Sequence, residues 1–276
     1  GYPEWAIKKI FSEYGREKGK EIVAAQKRGG THVRTNGLIY SDEKFERDLE
    51  NAGYKFEKTN TGYYVSMNPL LKKLFIEGRI TYQSLTSTYA ALALDVKDGQ
   101  NVLDVCSAPG GKAIFVAEKN PTANVVACDI HPHRVELIGA YARRMHVNNV
   151  APTLFDGMAF NKEWAGHFDR VLCDVPCSAM GVVKKQPDVL LNRNENDIAA
   201  LKKVQYSILD NAKNYVKSGG LLVYSTCTIF KEENDDNVEE FLKNNNDFEN
   251  YPSEFDGQYL PCDAHDGFFI RRLRRK

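Results

Sequence analysis

The chain has 276 residues, 42% of them apolar and 27% charged, and its 37 basic side chains are balanced by 37 acidic ones. That is enough for one large domain plus a small one, with the composition of an ordinary globular protein. No apolar run approaches the ~20 residues of a membrane-spanning helix, and no secretory leader is recognisable.

Taken in order, residues 1–25 carry Trp5, Ile7, Ile10, Phe11 and Tyr14 on one apolar face, joined later by Ile22 and Val23, which predicts a helix. Thr31 to Asn36 is a short strand. Ser41 is placed to cap a helix with Asp42 and Glu43 in its first turn and Gly53 as its stop. Tyr54–Lys58 and Tyr63–Met67 flank Thr59-Asn60-Thr61-Gly62 as a hairpin, and a helix around Leu70–Phe75 follows. This is a small α+β unit ending near Gly78, with Tyr40, Tyr54, Tyr63 and Tyr64 as candidate stacking surfaces or half-buried strand residues. The expected division is 1–78 and 79–276.

From about Arg79 strands and helices alternate, which implies a mainly parallel sheet. Strands are expected over Val102–Cys106, Asn124–Cys128, Ala151–Phe155, Phe168–Cys173, Leu221–Ser225 and Gly267–Leu273. Long helices are expected over His131–Val147 and Asp197–Val216, and a charged one from Lys231. The stretch N-V-L-D-V-C-S-A-P-G-G-K (101–112) stands out. A strand, a tight turn over Ser107–Gly111 and a helix opening at Lys112 bring backbone N–H groups together with no Cβ in the way, a cradle for a nucleotide-like ligand. The turn is neither G-x-G-x-x-G nor a Walker loop. Asp129 follows Gly111 by 18 residues, where a doubly wound fold offers a carboxylate to ribose hydroxyls.

Asp129, Asp156, Asp174, Cys177 and Cys227 all fall at the carboxyl ends of predicted strands, the edge where open α/β sheets hold ligands. Six cysteines without a secretory signal indicate reduced thiols, and no His completes a zinc pattern beside Cys173 and Cys177. Cys106, Cys128 and Cys173 lie inside apolar strands. Cys177 and Cys227 instead follow Pro176 and Thr226, just outside the sheet. Two thiols and an acid suit methylation of a pyrimidine at carbon 5: a thiolate adds to carbon 6, carbon 5 becomes nucleophilic, the acid stabilises charge on the ring, and loss of the carbon-5 proton frees the thiol. Residue chemistry alone does not rank the two thiols.

The segments D-V-C-S-A-P-G-G-K (104–112), D-V-P-C-S-A-M-G-V-V-K-K (174–185), Y-S-T-C-T-I (224–229) and D-G-F-F (266–269) resemble the motifs of the Sun/Nop family of RNA cytosine-5 methyltransferases. Tyr2-Pro3-Glu4-Trp5 and Val33-Arg34-Thr35-Asn36 are most similar to its bacterial Fmu/Sun branch, which acts on small-subunit ribosomal RNA. The resemblance implies a class I, Rossmann-like methyltransferase domain with a mostly parallel seven-stranded sheet, preceded by a small RNA-binding-type α+β domain. It implies S-adenosylmethionine as cofactor, held by Cys106, Ser107, Ala108, Pro109, Gly110, Gly111 and Lys112 with Asp129, Arg134, Asp156 and Asp174. It makes Cys227 the nucleophile, Cys177 the residue that permits release, and Asp174 the orienting acid.

The implied partner is RNA, ribosomal rather than transfer RNA, for a cytoplasmic monomer with no metal and no membrane association. A transfer-RNA methyltransferase and a catalytically silent RNA-binding assembly factor are the alternatives, the latter disfavoured by retention of both thiols. The family's branch usually carries a further upstream helical domain, and a chain opening on Gly1 is consistent with a trimmed one. Departures fall at Gln83-Ser84, Lys184-Lys185 and Gln186, on the RNA-facing side. The basic excess of residues 1–80 (15 against 11) and the ending R-R-L-R-R-K fit an RNA partner as well as they fit a solvated surface.

Overall fold

A computed structural model describes residues 2–25 and 31–276. Gly1 and 26–30, which fall within the expected N-terminal unit, lie outside the described residues. The expected first helix is two, α1 (Glu4–Tyr14) and α2 (Arg16–Ala24), because Gly15 between them takes a φ of 76°. Then come β1 (Thr31–Thr35), α3 (Asp42–Asn51), β2 (Phe56–Lys58), β3 (Tyr63–Val65), α4 (Pro69–Ile76) and β4 (Ile80–Tyr82). The helix starts follow local chemistry: Ser41 Oγ accepts from Lys44 N–H, and Asn68 Oδ1 accepts from Leu71 N–H just ahead of Pro69.

These four strands form an antiparallel sheet in the order β2-β3-β1-β4. It therefore takes in Ile80–Tyr82, just past the expected boundary near Gly78. Tyr40, Tyr63 and Tyr64 are buried in or beside it, with the Tyr40 and Tyr63 hydroxyls donating to Asp48 and Glu46. Those three rings are core, not stacking platforms, since edge-to-face packing against Phe45, Phe56 and His32 uses their faces.

The catalytic-type unit runs α5 (Leu85–Ala93), β5 (Asn101–Asp104), α6 (Gly111–Lys119), β6 (Asn124–Asp129), α7 (Pro132–Arg144), β7 (Val150–Leu154), β8 (Phe168–Asp174), α8 (Val189–Asn192) and α9 (Glu195–Ala212). It ends with β9 (Val216–Thr226), α10 (Asp235–Asn244), β10 (Phe248–Asn250), β11 (Gly257–Tyr259) and β12 (Phe268–Arg275). The main sheet reads β10-β12-β9-β8-β5-β6-β7, with β11 hydrogen-bonded to β12 off that path. Seven strands lie in a row as expected, and the short β11 makes an eighth. β7, β6, β5, β8 and β9 are parallel, while β12 inserts antiparallel beside β9.

Apolar clusters cover both faces of this sheet, one built on α5, α6 and α7, the other on α9 and α10. A third cluster joins Tyr2, Ala6, Ile10 and Ile22 of the N-terminal helices to Met180, Val183, Ile198, Ile229 and Phe230. The first two helices thus pack against the segments that follow Cys177 and Cys227 rather than against the small sheet. That sheet is tied to the large one by Arg34, which is fully buried, donates to Glu118 of α6 and to Gln83 Oε1 (2.7 Å), and lies over the Phe115 ring. The C-terminal basic run is also structural: in β12 Arg271 pairs with Asp235, Arg274 with Glu249 and Arg275 with Asp247.

Candidate active site

Strand ends supply the site. β5 ends at Asp104 and turns through Ser107–Gly110, where Gly110 takes a left-handed φ of 111° and opens α6. Beside this turn, β6, β7 and β8 bring in Asp129, Asp156 and Asp174. Together with the cysteine loops they line a cavity of about 280 Å³. Cys106, Ala108, Asp129, Arg134, Asp156, Asp174, Cys177 and Cys227 all line it. Ser107, Pro109, Gly110 and Gly111 shape the turn without lining the cavity, and Lys112 joins the lining through Asp174.

The acids are preset. Asp129 accepts from His131 N–H (3.0 Å) and pairs with Arg134 (3.1 Å), whose other arm donates to the Ala108 carbonyl (3.0 Å). Asp156 accepts from Met158 N–H at 2.9 Å. Asp174 takes Lys112 Nζ on one oxygen (2.6 Å) and Ser225 Oγ on the other (2.7 Å), so its position is set by α6 and β9 together. Burial alone would lower the Lys112 ammonium, but Asp174 and then Asp104 outweigh it and the net direction is up. Asp104 itself is buried, and burial, opposed by a hydrogen bond from Ser107 and reinforced by Asp174, pushes its carboxyl up to about 7.

The two thiols meet. Cys177 Sγ and Cys227 Sγ are 3.3 Å apart although 50 residues separate them in the chain. The loops that carry them are stitched by Gly181 N–H to the Cys227 carbonyl (2.9 Å) and Gly267 N–H to the Gly181 carbonyl (2.8 Å). A Cβ on Gly181 would stand 2.4 Å from the Gly267 oxygen and 2.8 Å from that of Cys227, so only glycine permits this approach. Cys177 is buried; its thiol is held well above the usual range first by the hydrogen bond with Cys227, then by burial, then by the charges of Cys227 and Glu233.

The donor set fits an adenosyl ligand on the structure's own terms. Two acids at adjacent strand ends face an apolar slot made by Ile130, Phe155 and Met158. Ile130 and Met158 escaped the sequence reading, although each lies one or two residues past a strand-end acid. Val204 and Ile208 of α9 line the cavity as well.

A five-strand parallel core, an antiparallel strand slipped in beside β9, and a cleft across the carboxyl ends define the class I methyltransferase fold. The chain belongs to the 16S rRNA methyltransferase RsmB/F family, whose model matches residues 91–274. It is 32% identical over its whole length to ribosomal RNA small subunit methyltransferase B from Photorhabdus laumondii, and equally so to that of Salmonella paratyphi B. It spans 66% of the length of each. Among solved structures it resembles a methyltransferase homolog protein from Pyrococcus horikoshii (TM-score 0.84, 25% identity, 100% of this chain and 96% of that one). NSun6 of the same organism, solved with SFG, shares the fold (TM-score 0.85, 20% identity, 99% and 98% covered).

Proposed function

We propose that the protein transfers a methyl group from S-adenosylmethionine to carbon 5 of a cytosine in RNA, with small-subunit ribosomal RNA as substrate. The observation that carries this reading is the contact of the Cys177 and Cys227 sulfurs beside Asp174 at one end of the cleft. The names of the relatives favour ribosomal over transfer RNA. Residues 79–276 would carry the chemistry and 1–78 would help hold RNA.

The cofactor supplies an electrophilic methyl group; Asp129, Asp156 and Arg134 with the Ser107–Lys112 turn would hold it. Cys227 donates an electron pair to carbon 6, forming a C–S bond and moving ring density to carbon 5. After methyl transfer a general base takes the carbon-5 proton, its C–H pair re-forms the 5,6 double bond, and the C–S bond breaks with its electrons returning to sulfur. Asp174, steadied by Lys112 and Ser225, faces the ring to stabilise the charge that addition creates. The buried Glu233 carboxyl opposes a thiolate on Cys177, which favours Cys227 as the attacking sulfur and Cys177 as the one that serves release. Because pairing buries carbon 6 in the stack, the target must be unpaired or flipped out.

The test pairs two substitutions on separated ribosomal and transfer RNA. Cys177→Ala is expected to accumulate a protein–RNA adduct that survives a denaturing gel, and Cys227→Ala neither adduct nor methylated product. The reverse pattern exchanges the two roles. Failure of the unaltered protein to methylate cytosine in either RNA sinks the reading.

A further inference from the structure

Below the cysteine loops lies a carboxyl that the scheme above leaves without a task. Glu233, in the short turn Lys231–Glu233 ahead of α10, is fully buried. It accepts from Ser178 N–H (2.8 Å), Ser178 Oγ–H (2.5 Å) and Gln205 Nε2–H (2.9 Å). With its own hydrogen directed at Glu233, the Ser178 hydroxyl accepts from Thr228 Oγ1–H, 2.7 Å away. The other Gln205 amide hydrogen goes to the Pro176 carbonyl (3.0 Å), and Gln205 Oε1 accepts from Asn237 (3.0 Å).

The neighbouring residue holds the second loop. Asn234 Oδ1 accepts from Thr226 Oγ1 (2.6 Å), and its Nδ2 donates to the Thr228 carbonyl (3.2 Å). Consecutive side chains therefore grip the residues on both sides of each cysteine: Pro176 and Ser178, through Gln205 and Glu233, and Thr226 and Thr228, through Asn234 and Ser178. A buried carboxyl is costly to keep, and an apolar side chain of similar size could fill the volume. What an apolar group could not do is bridge two loops through a shared hydroxyl.

We infer that Glu233 is a positioning residue that sets the separation of the Cys177 and Cys227 sulfurs. The inference rests on the reading that both thiols act in one reaction, but its readout does not need that reaction. Diamide takes two protons and two electrons from a pair of thiols to give a disulfide and the hydrazine, at a rate set by how close the sulfurs lie. The experiment measures formation of the Cys177–Cys227 disulfide by peptide mass spectrometry in the unaltered protein, in Glu233→Gln and in Ser178→Ala, with alkylation of the exposed Cys262 as control.

Disulfide formation is expected to slow about tenfold in both variants, as expected when a pair is displaced by a fraction of an ångström, with Cys262 alkylation unchanged. On RNA the same variants are expected to lose kcat while KM holds. A folded Glu233→Gln protein that forms the disulfide at the unaltered rate overturns the inference and leaves the proposed reaction standing. If that variant does not fold, Ser178→Ala, which removes only the bridging hydroxyl, decides by the same criterion. Slowed disulfide formation in a protein that methylates no RNA would keep the positioning role and discard the reaction.

Discussion

Asp104 is an acid in surroundings that favour its neutral form. Its side chain lies buried at the end of β5, and burial, opposed by a hydrogen bond from Ser107 and helped by Asp174, pushes its carboxyl up to about 7. A folded-state value above the unfolded one of 3.8 means that the folded protein holds a proton the unfolded chain has released. The associated stability is complete below the unfolded value and is lost as pH rises through the folded one. Between about pH 4 and 7 the loss is about 1.4 kcal/mol per pH unit. Asp104→Asn cannot titrate, so its stability relative to the unaltered protein is expected to rise by roughly 3 to 4 kcal/mol across that window, then level off. Urea unfolding of both proteins at several pH values checks this; a constant difference would refute it. Gly181 makes a second prediction. Gly181→Ala forces a Cβ into the Gly267 and Cys227 carbonyls, and is expected to cost about 1 to 3 kcal/mol in urea unfolding and to slow Cys177–Cys227 disulfide formation.

Helix α6 links the small sheet to the cofactor turn. Its first residues close the glycine turn while Glu118, its last residue but one, holds the buried Arg34. Removing one member of a buried ion pair strands the other charge, at about 3 to 5 kcal/mol. Glu118→Ala is therefore expected to lower urea stability by that amount, whereas replacing both partners, as in Arg34→Met with Glu118→Leu, is expected to recover most of it. The elements themselves were largely legible from sequence. The cap at Ser41 is a local signal, as are the apolar runs of the buried strands. Short pieces escaped: β4, β10 and β11 are three residues each, too brief to show a period, and owe their existence to pairing with distant strands. The division of the first helix at Gly15 was missed because the apolar face continues on both sides of it.

At the scale of the whole molecule the balance of charge hides its distribution. Arg271, Arg274 and Arg275 are committed to acids of α10, β10 and the residues between them, and Arg272 to backbone carbonyls, so the run R-R-L-R-R-K belongs to an interior strand rather than a free basic tail. If the protein acts on RNA as proposed, contact falls to surfaces nearer the cleft, among which Lys184 lies beyond the Cys177 loop. Lys184→Ala is expected to weaken RNA binding at low salt and to reduce the slope of log K against log salt by about 0.7 to 1, the mark of one lost phosphate contact. Filter binding over a salt series measures it, and an unchanged slope removes Lys184 from the interface.

Sequence by itself determined which chemistries stand at the strand ends, because strands, glycine turns and the residues that follow them are specified by neighbours along the chain. Only the tertiary structure decided that two sulfurs 50 residues apart would touch, that Asp174 would be shared between Lys112 and Ser225, and that Glu233 and Asn234 would each hold one of the cysteine loops. Buried polar contacts of that kind join side chains across long separations with no periodicity to reveal them, so they become visible only once the sheet has brought the loops together.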